Sequence, residues 1–346
     1  MDYFGSETNV QQWTVVLLNK AETMNAPKRI AVVCGGYTGE KAISMKSAEM
    51  VMNNIDRQKF DPVMVRIERD GWWAQIAGTG LPVDKNDFSV PNQTETIRFD
   101  AALIAIHGTP GEDGKLQGYF DMIGMPYQTG GVLNMALTFD KFRTVSALRE
   151  GGFQVAQSVI LKDSGSFSPD EILKTIDLPC FVKPTNAGSS LGISRVDAAE
   201  QLPAAIEKAF AENSHVMVEA LVTGTEITCG VMRIDGKATA LQITEIVSYN
   251  SFFDYEAKYR EDRREEITPA RISEQDFEKC LRTSEAIYDF LDCRGAARVD
   301  FMLNEQGLFC IEINTVPGMS EVSILPQQCE AYGMSKTEMI THMLEG

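Results

Sequence analysis

The sequence contains no C-x-x-C pair and no disulfide framework. Its seven cysteines are scattered over 346 residues, and no two stand closer than Cys280 and Cys293. Such usage fits reduced thiols in a cytoplasmic protein and excludes both a stapled secreted scaffold and a cysteine zinc site. An apolar run of transmembrane length is also missing, so no membrane partner is expected. Positive charge is scarce: 32 Lys and Arg stand against 49 Asp and Glu, a net charge of −17. That balance excludes a nucleic-acid surface. It also means that any site for phosphate must gather its own Lys and Arg against the field of the whole chain. The first Gly-rich turn is neither G-x-G-x-x-G nor a Walker A loop, so nucleotide binding has no support there.

What is present is ordinary for a globular protein of two or three domains, with 44% apolar and 23% charged residues. Residues 1–27 read as an N-terminal extension. Trp13 to Leu18 is too short for a secretory core, and Asp2 and Glu7 stand where a signal would be basic. The regular pattern starts after Met24, a candidate natural start. Lys28 to Gly36 then reads as a buried parallel strand entering a Gly turn, followed by a helix with Ile43, Ser47, Val51 and Ile55 at helical spacing. A second strand, Asp61 to Ile67, precedes a polar loop region. Ala101 to His107 is a further strand, ending in Gly108-Thr-Pro-Gly-Glu-Asp-Gly114. Strands alternating with helices make residues 28–129 a doubly wound α/β domain, with Glu40 and His107 at strand ends where such sheets bind ligands. Read alone, Glu40 is equally a first-turn carboxylate favoured by the helix dipole, and a lone His is more often structural.

Two further domains are expected, 130–218 and 219–346. One helix should run from Met135 to Glu150, carrying Lys141, and a capping box at Ser168 to Glu171 should start another reaching Ile176. Pro179 to Lys183 is a strand ending on a lysine. The following Gly188-Ser189-Ser190-Leu-Gly192 can turn backbone N–H groups and hydroxyls onto phosphate, or can be a plain surface hairpin. His215 to Val222 alternates toward a turn, with Glu219 and Glu226 as carboxylates. Ser248 to Glu266 is long, irregular and charged; its aromatics between Phe252 and Tyr259 favour a packing lid. A helix capped by Ser273 and Asp276 precedes the hairpin Arg298-Val-Asp300 … Glu312-Ile-Asn314, turned at Asn304 to Gly307. Period two puts Glu312 and Asn314 on one face and lets Asp300 join them, an oxygen set of the kind Mg²⁺ prefers. An edge hairpin showing a polar face to water gives the same pattern.

In order and spacing, these motifs resemble the D-alanine–D-alanine ligases of the ATP-grasp superfamily from about Arg29 onward. The carrying residues are Cys34-Gly-Gly, the His107 to Gly118 run, Phe139-Asp-Lys141, Val182-Lys183-Pro with Gly188 to Gly192, Tyr255-Glu-Ala-Lys258-Tyr259, Arg298-Val-Asp300, and Glu312-Ile-Asn314-Thr-Val-Pro-Gly318-Met. The resemblance implies a three-domain ATP-grasp protein, its two α+β domains sandwiching ATP, that joins two D-alanines through an acyl phosphate in the cytoplasm as a homodimer. It implies that Lys141 and Lys183 meet the ATP phosphates under a flap bearing Ser189. Glu219, Ala220, Leu221, Val222 and Glu226 would meet adenine and ribose. Asp300, Glu312 and Asn314 would hold two Mg²⁺ or Mn²⁺. Glu40, with Ser189 and Tyr259, would hold the first D-alanine, with His107 on the same side. Arg298 and the Gly318 N–H would stabilise the oxyanion, and Lys258, Ser323 and Ile324 would receive the second D-alanine. One departure is visible: Ala42 replaces the family's second Glu after Glu40. A D-alanine–D-lactate ligase, or another carboxylate–amine ligase of this superfamily, is the alternative, and Tyr259 argues against the lactate form. A silent nucleotide-binding relative would have lost lysines or metal ligands, and none is lost.

Overall fold

The computed structural model describes residues 26–93, 95–163, 167–186, 191–248 and 264–346. Its architecture rests on three sheets. The first is built from β1 (Lys28–Gly35), β2 (Phe60–Glu68), β3 (Gly71–Ile76), β4 (Thr79–Pro82) and β7 (Ala101–Ile104), in the order β4-β3-β2-β1-β7. β1 runs parallel to both β2 and β7 and is buried along most of its length, as its unbroken apolar run requires. The sheet is mixed, however, not wholly parallel. The region read as polar loop folds into the antiparallel strands β3 and β4 and the short pair β5 (Val90–Pro91) and β6 (Thr96–Ile97). Trp72, Phe88, Phe99 and Tyr119 supply its core, with short local pairing that a search for long alternation passes over.

Helix α1 (Lys41–Asn54) packs on this sheet through buried Ser44, Ser47, Ala48, Met50 and Val51. The serines are tolerable there because they are bonded. Ser44 Oγ donates to Ala105 O at 2.7 Å and accepts from Gly35 N–H at 2.9 Å, tying the helix to two strand ends. Gly35 itself has φ +99°, and a Cβ there would lie 2.8 Å from Ile67 O, so only glycine makes this turn. Helix α2 (Lys115–Ile123) closes the first unit.

The expected helix from Met135 to Glu150 is two helices, α3 (Val132–Phe139) and α4 (Lys141–Glu150). Asp140 breaks the run: its backbone is extended, and its carboxylate accepts from Arg143 N–H at 2.9 Å as the N-cap of α4. Lys141 therefore opens a helix instead of riding inside one. The second sheet, in the order β10-β9-β11-β8, is antiparallel and contains β8 (Ser158–Leu161), β9 (Cys180–Pro184), β10 (Ser194–Val196) and β11 (Val216–Ala220). α5 (Pro169–Leu173) and α6 (Leu202–Glu212) accompany it. The Ser168 side chain makes no capping bond to α5, which ends at Leu173, short of Ile176.

The third sheet, β14-β13-β12-β15-β16, comprises β12 (Thr225–Ile234), β13 (Lys237–Ser248), β14 (Arg264–Ile267), β15 (Ala296–Asn304) and β16 (Gly307–Asn314). β14 corrects the reading of Ser248 to Glu266 as irregular throughout, since its charged end pairs with β13. Helix α7 (Glu274–Phe290) starts on Ser273, whose Oγ accepts from Asp276 N–H at 3.1 Å. One sheet face is apolar: Ile227, Cys229, Val231, Val299, Phe301 and Ile313 are buried under α7. α8 (Ile324–Tyr332) and α9 (Lys336–Glu345) end the chain, and their Leu325, Cys329, Met339, Ile340 and Met343 join Ile30, Val32 and Val51 of the first unit in one core.

Candidate active site

The opposite face of the third sheet is polar, and register explains why. β12, β15 and β16 place Thr228 beside Asp300 and Asp300 beside Glu312; one step on, Gly230 is beside Arg298 and Arg298 beside Asn314. Side chains two apart share a face, so Arg298, Asp300, Glu312 and Asn314 form one row while Val299 and Ile313 go into the core. A bulge after Asp300 shifts the register to Phe301 opposite Cys310 and ends that row. Both Asp300 oxygens are engaged. Thr228 Oγ1 donates to Oδ1 at 2.5 Å, and Arg298 donates from Nε to Oδ1 at 2.9 Å and from Nη2 to Oδ2 at 3.0 Å. Burial alone would lower the Arg298 pKa, yet Asp300, with Glu312 and Glu266 nearby, holds it above the ordinary range.

The second sheet faces this row. Phe181 and Lys183 share one face of β9, and Glu219 on β11 lies opposite Phe181, so Lys183 and Glu219 are diagonal neighbours. Their ion pair is 2.5 Å long and nearly buried. Lys183 Nζ also stands 5.4 Å from the Phe181 ring centroid. Lys141, at the start of α4, has its backbone N–H fixed by Thr185 O at 2.9 Å and extends Nζ to 3.4 Å from Glu312 Oε2.

The first unit supplies the third wall. Glu40 precedes α1, and His107 follows β7. His107 is buried, its Nε2 3.4 Å from Ser47 Oγ, and Ser47 Oγ also accepts from Met319 N–H at 3.1 Å. Burial holds His107 below its ordinary pKa against the pull of Glu40 and the Val316 backbone, so the ring is neutral near pH 7. The glycine-rich turn after His107 folds back so that Gly108 N–H donates to Glu112 Oε2 at 2.6 Å. Burial pushes Glu112 up to about 8 despite that bond, and Glu40 and Glu312 add to the rise while Lys141 opposes it.

These walls enclose a cleft of about 840 Å³, within the size of small-molecule sites. Glu40, His107, Lys141, Lys183, Glu219, Ala220, Leu221, Val222, Glu226, Arg298, Asp300, Glu312, Asn314, Gly318, Ser323 and Ile324 all line it. Ser189, Lys258 and Tyr259 lie outside the described residues. Ser323 precedes α8, held by Ser320 N–H to its Oγ at 3.0 Å, and the first turn of that helix opens on the cleft, a ready receiver for a carboxylate. A Cβ on Gly318 would lie 3.0 Å from Ser323 Oγ, which keeps that backbone bare and close.

The reading of the residues missed several members of this wall. Glu112 lies inside the glycine-rich turn after His107, and only the approach of Glu40 and Glu312 gives it weight. Phe181 was findable, two residues before Lys183 on the same strand face. Thr228 carries no local signal, because its link to Asp300 is made across strands. Arg195 lines the cleft from β10 and is paired with Asp197 at 2.8 Å.

The donors fit a hard cation in kind. Asp300, Glu312 and Asn314 offer oxygen donors, and among the described residues no group of three or more Asp, Glu, His or Cys side chains is arranged to hold a metal ion by itself. A set of two carboxylates and an amide leaves positions for water and phosphate, as Mg²⁺ sites do.

Comparison with known proteins finds relatives of this chain. A family model described as D-ala D-ala ligase N-terminus matches residues 29–130, and one described as D-ala D-ala ligase C-terminus matches residues 148–345. A Bacteroides fragilis protein named D-alanine--D-alanine ligase is 43% identical over 320 residues, covering 92% of this chain and 98% of the relative. A Porphyromonas gingivalis protein of the same name is 44% identical over 315 residues, covering 90% and 95%. Among solved structures, the VanG D-Ala:D-Ser ligase from Enterococcus faecalis superposes with TM-score 0.83 at 31% identity, covering 92% of this chain and 99% of that one. The Bacillus anthracis D-alanine--D-alanine ligase complexed with ATP gives 0.73 at 30%, covering 92% and 96%.

Proposed function

The chain belongs to the D-alanine–D-alanine ligase family, and from that premise we propose how its cleft does the family's work. The protein has the ATP-grasp fold and joins two D-alanines into D-alanyl-D-alanine for peptidoglycan synthesis, with ATP as co-substrate. One observation carries the assignment of roles. The second sheet brings Lys183, and the start of α4 brings Lys141, into the cleft that the Asp300–Glu312–Asn314 row of the third sheet lines, and Glu40 and the start of α8 line the same cleft.

Lys141 and Lys183 hold the ATP phosphates; Glu219, Glu226 and the backbone from Ala220 to Val222 hold adenosine, with Phe181 and Met302 as apolar surface for the ring. Asp300, Glu312 and Asn314 would hold two Mg²⁺ or Mn²⁺, which would neutralise phosphate charge when bound. Glu40 takes the first D-alanine's ammonium near His107. The carboxylate oxygen of that D-alanine attacks the γ-phosphorus, ADP leaves with the electron pair, and a D-alanyl phosphate forms. The second D-alanine seats its carboxylate at Ser323 and the Ile324 amide. Its amine, once deprotonated, adds to the acyl carbon, and Arg298 and the Gly318 N–H receive the oxyanion before phosphate departs. Ser189, Lys258 and Tyr259 complete the set by resemblance.

We further place the division between the second and third domains after Ala220, not after residue 218, because β11 runs to Ala220 within the second sheet. No helix among the described residues is long and apolar enough to cross a membrane; cytoplasmic residence as a homodimer completes the reading. The test is ADP release with D-alanine alone, followed by mass analysis of products from D-alanine mixed with D-lactate or D-serine. D-Alanyl-D-alanine should dominate. Absence of D-alanine-dependent ADP release, or a dominant depsipeptide or D-alanyl-D-serine, would overturn it.

A further inference from the structure

A serine or threonine inside a helix commonly turns its hydroxyl back to the carbonyl four residues earlier. Thr138, Ser146, Ser284 and Thr341 do so here, at 2.7–2.9 Å. Ser47, in the middle of α1, reaches out of its helix instead. Met319 N–H, 272 residues away in the chain, donates to Ser47 Oγ at 3.1 Å, and His107 Nε2 lies 3.4 Å from the same oxygen. All three residues are buried. A hydroxyl has two lone pairs and one proton, so Ser47 takes the Met319 N–H and still bonds the neutral His107 ring in either tautomer.

The loop held in this way carries Gly318. Asn314 Oδ1 accepts from Val316 N–H at 3.1 Å on one side of Pro317 and Gly318, and Ser47 holds Met319 N–H on the other. Proline brings a fixed φ. Glycine has the freest backbone of any residue, so its own sterics do not aim its N–H. The peptide that follows Gly318 is therefore oriented from the first unit, by one hydroxyl.

We propose that Ser47 is a positioning residue for the second half of the reaction: through Met319 N–H it aims the Gly318 N–H, and His107 steadies its hydroxyl. Gly318 and His107 line the cleft, and Ser47 acts from behind them. The proposal rests on the reading of the Gly318 N–H as an oxyanion donor and adds what aims it. Phosphoryl transfer from ATP creates no tetrahedral carbon. Loss of the Ser47 hydroxyl should therefore spare formation of the acyl phosphate and slow its capture by the second amine.

The experiment compares two rates in the full chain. Positional exchange of the β,γ-bridging oxygen of isotopically labelled ATP, with D-alanine present, reads reversible formation of the acyl phosphate. Synthesis of D-alanyl-D-alanine reads its capture. Ser47→Ala should lower kcat for the dipeptide by roughly tenfold or more and exchange by less than about threefold, with KM for ATP within about twofold of wild type. The ratio of exchange to synthesis should thus rise. Ser44→Ala is the structural comparison, because Ser44 ties the same helix to Ala105 O and Gly35 N–H, away from the Gly318 loop. It should lower the thermal midpoint and leave the ratio at its wild-type value.

An unchanged ratio in Ser47→Ala overturns the proposal. An equal rise in Ser44→Ala overturns it too, since any loosening of α1 would then suffice. Arg298→Lys reads the premise separately. If it raises the ratio while Ser47→Ala does not, the oxyanion site stands and Ser47 has no part in aiming it. If neither variant raises the ratio, the oxyanion reading itself falls. Should Ser47→Ala not fold, Ser47→Cys decides: sulfur is a weak acceptor, so the ratio should rise in the same direction, and a wild-type ratio overturns the proposal.

Discussion

Thr228 and Asp300 face each other across β12 and β15, with the threonine hydroxyl donating to Asp300 Oδ1 at 2.5 Å. The same threonine's carbonyl accepts from buried Gln328 Nε2 at 2.9 Å, and that amide also reaches Thr244 Oγ1 at 3.1 Å. The orientation of Asp300 is thus set from beneath the sheet surface. Thr228→Val keeps the branched shape and removes the donor. Outer partners of metal ligands typically contribute 10- to 100-fold in affinity or activity, so Mn²⁺ affinity in the presence of nucleotide should fall by about that much. Titration followed by paramagnetic resonance measures it, and an unchanged affinity would show that Asp300 needs no support.

Arg298→Lys should cost roughly a hundredfold in kcat, the loss typical of one oxyanion donor. Charge survives, but the planar fork that grips Asp300 does not. Steady-state rates with D-alanine provide the measurement, alongside a thermal midpoint to show an intact fold. Activity within a few-fold of wild type would remove Arg298 from the oxyanion site.

Glu112 gives the chain a stability term with an unusual sign. Its folded pKa, pushed up to about 8 by burial, exceeds the ordinary carboxylate value, so the native state keeps a proton that the unfolded chain has already released. Below the ordinary value there is no penalty. The penalty grows as pH rises toward the folded value and is constant above it. Glu112→Gln removes it, so the variant's thermal midpoint should gain on wild type between about pH 5 and about pH 9. Equal differences at both ends would mean that the carboxyl ionises normally.

Asp140→Ala removes the N-cap of α4 and the carboxylate that Arg143 grips. Such caps are worth about 1 kcal/mol, and the expected result is a lowered midpoint together with a raised KM for ATP, because Lys141 is the first residue of that helix. A fall in stability with unchanged KM would show that Lys141 is placed by its bond to Thr185 alone.

These residues also mark how far the sequence could be read. The β15–β16 hairpin was legible because period two is strict: Glu312 and Asn314 had to share a face, and a turn cluster marked the hairpin, whereas the bulge that sets Asp300 opposite Glu312 left no such mark. Lys183 at a strand end and the Ser273 cap were legible for the same local reason. Asp140 hid inside an apolar helical pattern, where a capping aspartate looks like any polar residue of the exposed face. β3 and β4 are short and carry little alternation, so their pairing emerges only when Trp72 meets Phe88 and Tyr119. Glu112 and Thr228 owe their importance to partners far away in the chain, and no local pattern records that. The roles implied by resemblance fell on residues that the fold brings to one cleft, apart from Ser189, Lys258 and Tyr259, which lie outside the described residues.

The core that joins Ile30, Val32 and Val51 to Leu325, Met339, Ile340 and Met343 has a consequence for synthesis of the chain. β1 and α1 bury one side against α8 and α9, which are made much later, and Lys59 closes the seam with Glu345 at 3.1 Å. During translation that apolar side therefore stays uncovered until α8 and α9 have been made. Its native packing has very long loops to close, which slows folding and exposes the nascent sheet to wrong partners in the meantime.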